Sequence, residues 1–484
     1  MNKILRDLLG RKSFIASLII LAFFAVIAVA GPMMTPYKNP YSSTEYYAAG
    51  PYAVPGWATA FPQYRLYPPN MKLTLPVTSY SGNGTVSYNG TFYVVQLGSE
   101  AVENLTYSME WNYSYPYTFT LTLNVVPYSS QGVQVNIYAV NSTGHRFFLA
   151  SYVPSTYEFF FTYPTQPLQL GELNKITVSM TGLNSLNSPY VASLPPSRQA
   201  LFALEFPNQL MGKPGKVEFV ISLVNLGSKP SKVYVSELNF SELGRAFGLL
   251  GTDNNGASVF AEYVIGARFD LILSLLASVM IVGIGLVVGL VAGYAGGKTD
   301  LVLNSLTDFF LTIPGLPLLI TMETIFVVTG VVTKINKPLF LMLLIGGLSW
   351  MGTMKIIRSV TLSVKGRTFV EASRALGGSS LHIIRKHILP NILGVVFAQI
   401  AYDVPVVILV ESGLDFLGFG ISTTEFPTWG NMLAVATQAA SSANSFAWWW
   451  VLPPGLSIVL LSVAFYYFGS AIEDVLSPLR LRGE

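Results

Sequence analysis

The sequence predicts an α-helical membrane protein of six transmembrane helices with an all-β sandwich inserted between the first and the second. Three observations predict it. The 484 residues are 51% hydrophobic and only 11% charged, a balance typical of chains that live in lipid. Six stretches are long and apolar enough to cross a hydrocarbon core of about 30 Å. The block 46–247 has another character, rich in Tyr, Ser, Asn and Pro, with apolar and polar residues alternating at period two.

The chain accordingly divides into 1–45, a cytoplasmic N-terminus with the first transmembrane helix; 46–247, an extracellular insertion; and 248–484, a five-helix core with a cytoplasmic loop at 355–390. The expected spans are 13–31, 269–294, 306–332, 339–354, 391–414 and 448–472. The first follows Lys3, Arg6, Arg11 and Lys12, as a signal peptide would, but it runs into Pro32 with no need for cleavage and is read as a retained span. Lys and Arg number 4, 1, 7 and 2 in the segments 1–12, 295–305, 355–390 and 473–484, against two and none in 333–338 and 415–447. The positive-inside rule therefore puts both termini in the cytoplasm and the insertion outside the cell.

Within the insertion Phe119, Leu121, Leu123 and Val125 alternate with polar neighbours, as do Val133, Val135, Ile137 and Ala139. Further strands are expected at 146–153, 157–163, 175–180, 217–224 and 232–238, separated by Gly, Pro, Ser and Asn. Seven or so short strands without a long helical period favour an antiparallel sandwich. Glycosylation sequons begin at Asn83, Asn89, Asn104, Asn112, Asn141 and Asn239, all within the insertion, which agrees with an outer location. Tyr157, Phe159, Phe160, Phe161 and Tyr163 invite a sugar-stacking reading, but filling a core and an interface is the simpler account. His145 reads as a solvated turn residue.

A net charge of +3 argues against nucleic-acid binding, and the absence of cysteine excludes disulfides, thiol catalysis and cysteine metal sites. His145, His382 and His387 are the full set of histidines and offer neither a metal cluster nor a nucleophile-base pair. Carboxylates at membrane depth are costly unless they face protein or water. Asp403, followed by Pro405, and Glu323 and Glu411 are therefore candidates for a pathway or gate, with hydrogen bonding to a neighbouring helix as the structural alternative.

The segment 367–390, RTFVEASRALGGSSLHIIRKHILP, is the most informative stretch. Its spacing puts Phe369, Ala372, Ser373 and Leu376 on one helical face, with Glu371 and Arg374 on another, until Gly377-Gly378 stops the turn. Ser379 or Ser380 then caps a second helix with Leu381, Ile384 and Ile388 opposite His382, Arg385 and Lys386, and Pro390 ends it. Without a partner, such a basic hairpin would lie on anionic lipid.

Glu371, Ala372, Gly377, His387, Leu389 and Pro390 stand at the spacings of the EAA loop, and in them the chain resembles the permeases of ABC importers. The flanks of the insertion resemble the dipeptide/oligopeptide branch: Pro36-Tyr37-Lys38-Asn39-Pro40 before it, Leu250-Gly251-Thr252-Asp253 and Ile265-Gly266-Ala267-Arg268 after it. Ala257 and Ser258 depart from that branch's usual Arg-Asp. Downstream, 411–420 and 427–430 resemble its glycine-rich outer segment, with Asp415 where serine is usual and hence a further gate candidate. Gly469, Asp474 and Pro478 keep their places, whereas Ser470, Glu473 and Ser477 replace charged residues.

The resemblance implies a type I ABC importer permease fold and a multi-pass subunit of the cell membrane that forms half of a translocation pathway for oligopeptides or oligosaccharides. It implies as partners two ATPase subunits, a second homologous permease, an extracellular solute-binding protein and the bilayer, and no nucleic acid. No cofactor or metal is expected on this chain, because ATP and Mg²⁺ would sit on the ATPases; the subunit itself would not be an enzyme. Gly293 to Thr299 is one residue too short for a phosphate-binding loop and follows a membrane helix, so it reads as a tight turn. Glu371 would pair with a basic residue of the ATPase, its rival being Arg374 three residues on, and Arg374 joins Glu371, Ala372, Gly377, His387, Leu389 and Pro390 in the expected coupling loop. The alternative is a membrane-anchored receptor whose β-sandwich ectodomain binds an extracellular ligand.

Overall fold

The computed structural model describes every residue except 1, 41, 129–131, 155–164, 181–187, 331–335, 421–426, 444–445 and 477–484. The expected strand at 157–163 with its aromatic row, and Ser477 and Pro478, lie outside the described residues. The chain forms two compact units, Met1–Tyr46 with Val259–Glu484, and Tyr47–Ser258. The first begins with α1 (Asn2–Leu9) and α2 (Lys12–Ala30), the latter apolar from Leu18 onward and closed by a 3₁₀ turn at Gly31–Met33.

The second unit holds thirteen strands among the described residues. These are β1 (Met71–Leu75), β2 (Val77–Gly82), β3 (Thr85–Tyr88), β4 (Tyr93–Leu97), β5 (Val102–Trp111), β6 (Thr118–Tyr128), β7 (Val133–Val140), β8 (Arg146–Val153), β9 (Gln166–Pro167), β10 (Asn174–Ser179), β11 (Gly215–Asn225), β12 (Ser231–Val235) and β13 (Leu238–Leu243). One sheet runs β1-β13-β6-β12-β4-β3, with β10 also on β6; the other runs β2-β5-β11-β7-β8-β9. Alternation along β5, β6 and β11 sends one side of each strand into a common core, where Phe119 of one sheet meets Phe219 of the other at 6.2 Å between ring centroids.

Three details go beyond the sequence expectation. A short helix, α3 (Pro189–Ala192), and a 16-residue helix, α4 (Pro196–Met211), belong to the unit, so it is not purely β. The spacing of Phe202, Phe206 and Leu210 is helical, and Phe206 and Leu210 are buried in the sandwich core despite Pro207. Second, Gln134 and Asn136 of β7, the polar members of its alternation, are buried and satisfy each other and Ser151 at 2.7–3.1 Å. Third, Glu242 of β13 points to the core side with Phe240 and has no hydrogen-bond partner for either carboxylate oxygen among the described residues.

The first unit resumes at α5 (Val259–Ala295), a 37-residue helix. The expected uninterrupted span at 306–332 is instead α6 (Gly297–Thr312) and α7 (Gly315–Val328), bent by 85°. Pro314 causes the break, because the residue before a proline is pushed to extended backbone, as Ile313 is at φ −80°, ψ 126°. The next expected span, 339–354, is α8 (Lys337–Leu348) and α9 (Trp350–Lys365), bent by 43°. Helix α9 outruns the expectation because its charges are neutralised within the bundle: Arg358 forms a two-pronged ion pair with Asp300 and Lys355 pairs with Asp308, both on α6.

Then follow α10 (Thr368–Ala375), α11 (Ser380–Ile383), a π-helical turn at Ile384–Ile388, α12 (Leu389–Phe416), α13 (Trp429–Ala443) and α14 (Trp448–Leu476). By length and composition four helices can cross a membrane, or six if each bent pair is one span. Of the stretch from Gly293 to Thr299 only Gly296 lies between helices, with α5 ending at Ala295 and α6 starting at Gly297, and both Gly296 and Gly297 are at positive φ.

Candidate functional site

The hairpin between α9 and α12 is built by glycine and clamped by apolar residues. Helix α10 ends in a Schellman motif: Gly378 N–H donates to the Ser373 carbonyl and Gly377 N–H to that of Arg374, both at 3.0 Å, with Gly377 at φ +81°. Ser379 then caps α11, its hydroxyl accepting from His382 N–H at 3.3 Å.

The buried face matches the expected apolar positions only in part, at Ile388. Val370, Ile383 and Ile388 enter a cluster with Val282 of α5, Ile357 of α9 and Ile392 of α12. Leu376 and Leu381, on the apolar faces that the spacing picks out, are 88% and 63% exposed beside the glycine hinge. The π turn explains the second helix: with i to i+5 bonding, Ile383 and Ile388, five apart, share one face. Nor does Pro390 end the helix. It sits in the first turn of α12, directly after the π turn, and Asn391 Nδ2 donates to the His387 carbonyl at 2.7 Å, so α11 to α12 reads as one 37-residue rod, Ser380–Phe416.

Glu371, Ala372, Arg374 and Pro390 are exposed, while Leu389 and His387 are half-buried, the latter's ring 6.2 Å from that of Phe369. Glu371 and Arg374 form no ion pair with each other among the described residues. The carboxylate of Glu371 is thus left facing solvent.

The predicted membrane-depth carboxylates occupy two places. Asp403 joins α12 to α9, accepting from Thr353 Oγ1 and from Gln399 Nε2, each at 3.1 Å. Nearer the far end of α12, Glu411 and Asp415 gather with Asp270 of α5, which the sequence reading missed. Asp270 accepts from Trp429 N–H at 3.0 Å and Asp415 from the Thr428 hydroxyl, so the segment before α13 is pinned to both helices. Glu411 is only 2% exposed, buried beside Asp415 and Thr428. Glu323 of α7 lies 3.8 Å from Lys337 Nζ, across the start of α8. Asp270 escaped notice because it stands one residue inside the expected start of a span, where a charge is unremarkable; its partner lies 159 residues away.

In the other unit, Asn83, Asn89, Asn112 and Asn239 are exposed, whereas Asn104 and Asn141 are half-buried and donate to the carbonyls of Ser81 and Gln209, each at 3.2 Å. His145 is exposed in the turn that Asn141 closes. No group of three or more His, Cys, Asp or Glu able to hold a metal ion occurs among the described residues.

Residues 285–481 match the family of the binding-protein-dependent transport system inner membrane component, and residues 1–52 match the N-terminal TM domain of oligopeptide transport permease C. The chain is 31% identical over 233 residues to the oligopeptide transport system permease protein OppC of Haemophilus influenzae, covering 48% of this chain and 70% of the relative. It is 32% identical over 261 residues to the dipeptide transport system permease protein DppC of Bacillus subtilis, covering 54% and 78%. Among solved structures, TmCBM61 with beta-1,4-galactotriose aligns with 34% of this chain and 90% of its own at 8% identity and a TM-score of 0.20, a likeness too slight to bear on fold or ligand.

Proposed function

Since the chain belongs to the family of binding-protein-dependent transport system inner membrane components, and is a permease subunit of an ABC importer, we propose that it carries peptides and is driven through the hairpin between α9 and α12. The relatives are named for oligopeptides and dipeptides, and none of those described above for an oligosaccharide. The observation that carries the coupling role is the exposed tip: Glu371, Leu376 and Leu381 surround a left-handed glycine, while Val370, Ile383 and Ile388 root the same hairpin in the bundle. An apolar patch with one unpaired carboxylate suits a cleft on a partner, and a rooted base passes the partner's motion inward.

In this reading ATP closes two partner ATPases, which hold the ATP and Mg²⁺, and the hairpin moves with their clefts. Because α11, the π turn and α12 form one rod, displacement at the tip tilts α12 along its length. Asp403 and the Asp270, Glu411 and Asp415 group then lie on the moving helix or against it, as gate elements between this chain and a second homologous permease. The insertion faces the exterior with both termini cytoplasmic, docks or shields the solute-binding protein, and offers Asn83, Asn89, Asn112 and Asn239 as the most accessible of the six sequons.

The test is co-purification and uptake with Glu371→Lys. The wild type should bring down ATPase subunits and a second six-span protein, and the variant should weaken ATPase retention by about 2 kcal/mol, roughly thirtyfold in affinity. Undiminished ATPase retention and peptide uptake would overturn the coupling role. An anchored receptor, the other reading, would bring down no ATPase.

A further inference from the structure

A cleft of about 690 Å³ opens on the side of the helical unit between α5, α8 and the 3₁₀ turn after α2. Along α5 its wall is a single helical stripe, with Arg268 followed by Ile272 and Leu276 at intervals of four, so the two apolar side chains extend about 12 Å from the arginine. Leu339 and Met342 of α8 form the opposite wall. Ile272, Leu276 and Leu339 are each about half exposed, at 51%, 51% and 47%, as side chains that face lipid are.

The charge is confined to one end. Arg268 is exposed and has no ion-pair partner among the described residues. Lys38 lines the same end, with its ammonium donating to the carbonyls of Pro32 at 2.7 Å and Thr35 at 2.9 Å, which fixes the cation there while neutralising none of it. Glu45, the nearby carboxylate, is occupied by the backbone N–H groups of Lys38 and Asn39, each at 2.9 Å. Two cations, one of them held in place by backbone carbonyls, beside an apolar slot in a membrane protein complement a molecule with an anionic head and a hydrocarbon tail.

We infer that this cleft binds an anionic phospholipid, its phosphate against Arg268 and Lys38 and an acyl chain along Ile272, Leu276, Leu339 and Met342. Arginine at a phosphate supplies paired donors as well as charge, and the chain needs only to leave the bilayer sideways to enter the slot. The site is distinct from the root of the hairpin, which meets α5 at Val282, further along the helix. A bound lipid there would bridge α5 and α8, two helices that also meet in the apolar cluster around Leu273 and Leu341.

The experiment is native mass spectrometry of the full-length chain from mixed micelles of phosphatidylglycerol and phosphatidylcholine, with a photo-crosslinking residue placed at Leu276. Preferential retention of phosphatidylglycerol is expected, reduced about fivefold by Arg268→Gln and again by Lys38→Gln, and largely restored by Arg268→Lys. The crosslinker should capture lipid. Equal retention of the two lipids by the wild type would overturn the inference even if a variant failed to fold. So would retention unaltered by removing both cations, or capture of a second permease at Leu276, which would make the cleft a protein interface.

Discussion

Glu242 shows what one side chain can impose on a domain. Burial pushes its carboxyl up from the usual 4.5 to about 9, because the charged form loses its water and gains no donor. The folded value lies above the unfolded one, so this site binds a proton on folding. Its contribution to stability is therefore whole below about pH 4.5 and is lost as the pH rises through about 9. The opening free energy of β13 and β6, from hydrogen exchange corrected for the intrinsic amide rate at each pH, should be larger at pH 5 than at pH 8, and Glu242→Gln should flatten that dependence, raising local stability at pH 8 by about 1–3 kcal/mol. A pH-independent opening free energy in the wild type would refute the assignment. Nothing in the local sequence marks Glu242 as buried except its alternation with Leu238 and Phe240, which places it on the apolar side of β13.

At the scale of elements, the hinge of the coupling hairpin was legible and its packing was not. The Gly377-Gly378 pair after an amphipathic turn fixes where α10 must stop, since a left-handed residue favours glycine. Which face of α10 turns inward depends on α5 and α9, whose side chains Val282, Ile357 and Val364 are remote in sequence. The same holds for α5 against α9. Gly285, Gly289 and Gly293 recur every four residues, and a Cβ at Gly289 would meet the Met354 carbonyl oxygen at 2.8 Å and Ile357 Cβ at 2.9 Å. Gly289→Leu should therefore separate the two helices at a cost of about 1–3 kcal/mol, seen as a lower melting temperature in detergent. Gly283→Leu is the control on the same helix: a Cβ there meets nothing within 4 Å, and its melting temperature should stay near that of the wild type.

For the whole molecule, the two ends of the insertion run side by side: Gly50 N–H donates to the Gly244 carbonyl and Val54 N–H to that of Arg245, each at 2.9 Å. Such adjacency lets a domain be removed and its ends rejoined with little strain. Replacing 48–245 by a short linker should leave the membrane unit inserted and folded, since it is a separate compact unit. If the insertion docks or shields the solute-binding protein, uptake at low peptide concentration should fall while ATPase co-purification stays intact. Unchanged uptake across the concentration range would remove that role.

The sequence by itself determined the membrane class, the change to period-two alternation in the insertion, the hinge at Gly377 and the motif resemblance that led to the family. Each of these is set by spacing within a few residues, or by the length of an apolar run measured against a bilayer. Tertiary structure alone decided that Pro314 breaks one span while Pro390 breaks none, that a π turn sets the buried face of the hairpin, and that Asp270 joins Glu411 and Asp415. The physical reason is the same throughout: the partners that satisfy a freed carbonyl, a helix face or a buried carboxylate come from segments far apart in the chain, and only folding brings them within reach.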